Sequence, residues 1–63
     1  MTQKDLLYLE DAIEHENSII KLCNVFLKQI TDNDLSLFME EQKRSHVDMK
    51  NKLMEFLKEK SNG

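Results

Sequence analysis

Apolar residues recur through the first half of the chain at Leu6, Leu9, Ile13, Ile20, Cys23, Leu27 and Ile30, in alternating steps of three and four once Glu16 takes the missing place. That spacing is a heptad seam, the stripe one helix presents to another. At about 100° per residue, Ala12, Ile19 and Phe26 form a second stripe beside it. The two together span an arc of roughly 160°, wider than one neighbouring helix covers. The second half repeats the rhythm with Leu35, Met39, Met49, Leu53 and Phe56, with Gln42 and His46 in the two missing places and Phe38 and Leu57 widening the stripe. The pattern predicts helices over about residues 3–30 and 34–60.

What separates them is polar. The chain has no proline and its one glycine is the last residue, so the break falls to Thr31, Asp32, Asn33 and Asp34, whose side chains bond nearby backbone and favour turns and caps. Thr2 followed by Asp5 has the spacing of a capping box. Thr31 and Asp34 repeat it, with Asp32 and Asn33 equally able to cap the second helix. A turn over residues 31–33 makes the helices antiparallel, with Ser61, Asn62 and Gly63 as a frayed end. The expected fold is all-α, one helical hairpin domain over residues 1–63.

Two helices only half-bury seams of this width. Ordering a chain this short outweighs what half-burial returns, so self-association is expected, most simply two hairpins closing a homodimeric four-helix bundle. The expected oligomer core is Leu9, Ile13, Ile20, Cys23, Leu27, Met39, Gln42, Met49, Leu53 and Phe56. Pairing positions that sum to about 65 about the turn sets Glu16 against Met49, His46 about one turn away beside Ile20, and Gln42 against Cys23. A carboxylate at such a place must be paired, protonated, hydrated or bound to a metal. Glu16 and His46 are therefore either a buried pair that fixes register or oligomer state, or carboxylate and imidazole ligands of a metal shared across the dimer.

Composition narrows the function classes. Twelve acids against nine bases give a net charge of −3, which lacks the basic footprint of a nucleic-acid binder. No apolar run reaches the length of a membrane span, and no secretory signal opens the chain, so a cytoplasmic protein is expected. One cysteine excludes an internal disulfide. Cys23 reads as a small buried hydrophobe rather than a nucleophile, since mid-helix it has no cation or helix N-terminus to activate it. His15, four residues after Asp11, reads as a solvated neighbour of that acid, and Glu40–Arg44 and Asp48–Lys52 as surface pairs. Leu7, Leu22 and Val25 lie off the seam, where they extend an association surface or stay singly exposed.

The run DLLYLEDAIEHENSIIKLCNVFL followed by ITDNDLSLFMEEQKRSHVDMKNKLMEFL resembles the short rubrerythrin-like and coat-F-type spore proteins of the ferritin-like superfamily. There, an acid on one helix faces Glu-x-x-His on the next, the half-site of a di-iron centre. Under that resemblance Glu16 takes the first-helix ligand place, His46 falls where the family has its second-helix Glu, and Met49 falls where it has the His. One ligand is kept, one changes type and one becomes a thioether. The resemblance thus implies a relative without di-iron chemistry, a non-enzymatic, spore-associated module with a structural or assembly role and no cofactor. The alternatives are a metal-binding or redox protein using Glu16 and His46, and a small regulator presenting one helix face to a protein partner.

Overall fold

The computed structural model describes residues 1–62 and contains two helices, α1 over Gln3–Gln29 and α2 over Asn33–Asn62. Nothing is stated of the Asn62 side chain, and the expected frayed Gly63 lies outside the described residues. The N-terminus of α1 is built as its sequence predicts. Thr2 is the N-cap, its hydroxyl accepts from the Asp5 backbone N–H at 3.1 Å, and the Asp5 carboxylate accepts from the Thr2 N–H at 3.1 Å. Two donors that the helix start leaves without partners are thereby satisfied.

The backbone N–H of Thr2, and secondarily its hydroxyl, hold the Asp5 carboxyl below its ordinary value. A folded-state value below the unfolded one stabilises at higher pH, and the benefit disappears as pH falls from about 4 through the folded value. Acidification through that window should lower the protection of the Asp5 and Leu6 amides, measured against the unfolded chain at the same pH. An Asp5→Asn chain should be less protected from the outset and respond less to acid. Equal acid responses in the two chains would remove the capping box as the cause.

The connection is three residues long, Ile30 to Asp32. Ile30 closes α1 in an extended conformation, φ −73° and ψ 129°, and its N–H bonds the Phe26 carbonyl at 2.9 Å. Asp32 is the side chain that caps α2, its Oδ1 accepting from the Leu35 N–H at 2.8 Å, while its carbonyl accepts from Ser36. The sequence left Thr31, Asp32 and Asn33 as equal candidates; the chain uses Asp32, so α2 begins at Asn33. At its far end α2 continues through Ser61, whose hydroxyl bonds the carbonyls of Leu57 and Lys58 at 2.9 and 3.2 Å, where fraying was expected.

This short connection sets the register. Its centre is residue 31, so facing positions sum to about 62 rather than 65, and the shift of three brings Glu16 against His46 instead of Met49. α1 turns its expected seam toward α2: Leu6, Leu9, Ile13, Glu16, Ile20, Leu27 and Ile30 are half-buried and Cys23 is buried. α2 answers with Ser36, Met39, Lys43, His46, Lys50, Leu53 and Leu57, all half-buried. Leu35, Met49 and Phe56, placed by the pattern in that seam, are instead 47–48% exposed. The helix is rotated so that the aliphatic stems of Lys43 and Lys50 lie along α1 with their ammonium groups reaching water, and the most apolar stripe of α2 is left outside the hairpin.

That stripe and the second stripe of α1 fall on one side. In an antiparallel pair the order of positions around one helix is the mirror of the other, so the residues flanking the seam on a given side are equivalent on both. Asp5, Ala12, Ile19 and Phe26 of α1 therefore line the same face as Leu35, Gln42, Met49 and Phe56 of α2. The shared concavity formed by Asp5, Leu9, Phe56 and Lys60 lies there, and Lys60 sits over the Phe56 ring at 5.5 Å. Cys23, at 5% exposure, is the one buried apolar residue among those described. The hairpin measures 46 × 15 × 11 Å, a thin plank with a seam but no interior.

Candidate functional site

The polar contact on this plank lies at mid-length. Glu16 is the middle residue of α1, and His46 lies near the middle of α2. Heptad spacing sets both on the edge of the seam that borders the apolar face. His46 Nδ1 lies 2.5 Å from Glu16 Oε2. An ionised carboxylate only accepts, so the imidazole Nδ1–H donates. The Glu16 side chain is 14% exposed and that of His46 31%. Each ring nitrogen of His46 is a potential donor, and among the described residues Nε2 has no partner. The turns before and after Glu16 carry Ala12 and Ile19, and those before and after His46 carry Gln42 and Met49. The pair is thus framed by the apolar face on its open side.

The two residues proposed as ligands from sequence are brought together, one carboxylate and one imidazole per chain. Among the described residues no third His, Cys, Asp or Glu joins them. A closed structural metal site takes four ligands, so one hairpin supplies half of one. Gln42 is half-buried and bonds neither residue. Met49 is exposed and does not face Glu16. Cys23 is a free, buried thiol two helical turns from Glu16, too far along the helix to act with it. His15 is exposed and makes no ion pair among the described residues. Of the two expected surface pairs, Asp48–Lys52 forms at 3.2 Å and Glu40–Arg44 does not. The expected pair of Glu16 and His46 forms as a direct bond, although the facing rule had set His46 about one helical turn from Glu16. The signal that would have placed it is Asp32 as the cap, which moves the centre of the connection to residue 31.

Around the pair the face is mostly apolar, interrupted by Asp5 and Gln42. Leu22, Phe26, Leu35 and Phe38 cluster toward the turn, each 47–54% exposed, and Tyr8 and Phe56 lie toward the open end. Leu7, Val25 and Leu37 are also exposed, on other sides of the helices. No described helix is long and apolar enough to cross a membrane.

No protein-family model matches this chain, and neither a curated protein nor a solved structure matches it.

Proposed function

We propose that this chain is a non-enzymatic assembly module whose hairpins associate through the face bearing Ile19, Phe26, Leu35, Met49 and Phe56, giving a homodimeric four-helix bundle. The observation that carries the reading is the surface it leaves open. A compact monomer of this mass exposes about 4,250 Å², whereas the hairpin exposes 5209 Å². The excess of about 950 Å² is close to the roughly 800 Å² each partner contributes to a standard stable interface. The apolar face runs the length of the plank, from Tyr8 and Phe56 at the open end to Phe26 and Leu35 near the turn. A second copy is the partner of choice because a self-complementary apolar face is what a two-fold interface requires. The role that follows is structural, of the kind implied by the resemblance to coat-F-type spore proteins of the ferritin-like superfamily.

Sedimentation equilibrium at micromolar protein tests it. The expected species has twice the 7.5 kDa chain mass and dissociates on dilution with loss of helicity. A folded monomer that persists through dilution would refute dimerisation and leave the face to a different protein partner.

The contact between Glu16 and His46 supports a second reading, a divalent metal held by the two pairs of a dimer. Equilibrium dialysis against Zn²⁺ separates the two. Assembly alone gives no tight binding, or binding unchanged in Glu16→Ala. One ion per dimer, lost in Glu16→Ala and in His46→Ala, would establish the metal-binding reading.

A further inference from the structure

We infer that the two hairpins pack with their turns at the same end, so that the Glu16 and His46 of both chains close into a single four-membered ring of alternating carboxylate and imidazole at the centre of the bundle. The inference rests on the dimer proposed above and adds its orientation and its centre.

A two-fold axis that brings one face onto itself lies in the plane of the interface, either along the helices or across them. An axis along the helices sets α1 over the partner's α2 with the same facing rule as inside the hairpin, positions summing to about 62. An axis across the helices, placed for full overlap, sets α1 over the partner's α1 and α2 over the partner's α2, with the turns at opposite ends. The two arrangements make different neighbours of the same residues.

With turns together, Phe26 meets the partner's Leu35 and Leu22 meets the partner's Phe38, so the apolar turn-end clusters cover each other. Tyr8 meets the partner's Lys52, placing an ammonium beside an aromatic ring. Most tellingly, Glu16 stands level with the partner's His46. With turns apart, Leu35 meets the partner's Phe56 and Phe26 meets the partner's Asp5, much as Asp5 meets the partner's Phe56 with turns together; what differs is that Glu16 then faces the partner's Glu16 and His46 faces the partner's His46. Like charges would then be set together in a desolvated layer, which is costly.

The side-chain geometry suits the ring. His46 uses Nδ1 on its own Glu16 and leaves Nε2 without a partner, at the edge of the face the second copy covers. A carboxylate has lone pairs for more than one donor, so each Glu16 has capacity for its own Nδ1–H and the partner's Nε2–H. Both imidazole nitrogens donate only in the imidazolium form; the closed ring then balances two carboxylates with two cations. The partner copy supplies half of every residue set in it, and the layer is incomplete without that copy. A polar layer of this kind favours one alignment over another because misalignment leaves its members unpaired.

The test is a distance. A nitroxide carried on Thr31→Cys in a Cys23→Ala chain reports the separation of the two turns by double electron–electron resonance. Turns together give one distribution below about 25 Å, the width of a four-helix bundle. A distribution near 40 Å, about the length of α1, overturns the orientation while leaving the dimer standing. No dipolar signal from a chain that sediments as a monomer overturns the dimer and this inference with it. The ring is tested by adding Glu16→Leu with His46→Leu to the labelled chain. The expected outcome is a dimer in which both distributions are populated. Retention of the single short distribution shows that the ring does not select the orientation.

Discussion

Phe26→Glu abolishes the dimer and with it most of the helicity, while Leu37→Glu leaves both unchanged. Both substitutions place the same charge on a side chain already half or more exposed in the hairpin, at 47% for Phe26 and 65% for Leu37. Surface propensity would therefore treat them alike. They differ in the side of the molecule they occupy. Phe26 lies on the face assigned to the second copy, and Leu37 points away from it. Burying the remainder of a phenylalanine is worth about 1 kcal/mol per copy. An unpaired carboxylate in that position costs several more, and two-fold symmetry counts each term twice. A total of at least about 6 kcal/mol weakens the dimer about 10⁴-fold or more. Sedimentation and circular dichroism over a dilution series read both quantities. Equal behaviour of the two variants would show that association does not use this face.

Glu16→Ala gives the second large effect, a fall in stability of about 3 kcal/mol or more per pair lost, read from chemical denaturation at fixed protein concentration. The carboxylate is the acceptor for His46 Nδ1; the two side chains are 14% and 31% exposed in the hairpin, and once a second copy covers them, removing one member leaves the other desolvated and unmatched, at about 3–5 kcal/mol. Replacing both by leucine has the opposite sign. Well-packed apolar residues in place of a buried pair are often more stable by about 1–4 kcal/mol, so Glu16→Leu with His46→Leu should be at least as stable as the natural chain. The pair is thus expected to lower stability relative to an apolar layer while selecting an arrangement. A Glu16→Ala chain within about 0.5 kcal/mol of the natural one would place the carboxylate in water and remove it from the core.

The helices were legible in the sequence because their signals are local. Thr2 and Asp5 form the box their spacing promises, and the seam of α1 is the one its apolar steps trace, down to the burial of Cys23. The facing of α2 was not legible, because two stripes compete there. Leu35, Met49 and Phe56 form the more apolar one, and Ser36, Lys43 and Lys50 the one that packs on α1. Hydrophobic periodicity ranks stripes by polarity, and it ranks Lys43 and Lys50 last although their stems are long enough to cover a neighbour. A search for the seam therefore finds the outward stripe. The pairing of Glu16 with His46 was expected, but the register that makes it direct was displaced for a smaller reason. Which of Thr31, Asp32 or Asn33 caps α2 decides the centre of the connection. A one-residue change at either end of the connection moves the facing sum by one, and displacements at both ends turned the direct contact into a near miss.

The polar back of the plank bears on how far assembly can run. Opposite the apolar face, the two helices present Glu10, Asn17, Asn24 and Glu40, with the heads of Lys43 and Lys50 beside them and Leu7, Leu37, Val47 and Met54 as separate apolar interruptions. A molecule adhesive on both sides would stack without limit into a fibre. One adhesive on a single side exhausts that surface at the first encounter, so the association proposed above would end at two copies, and any larger array would have to be built through different contacts.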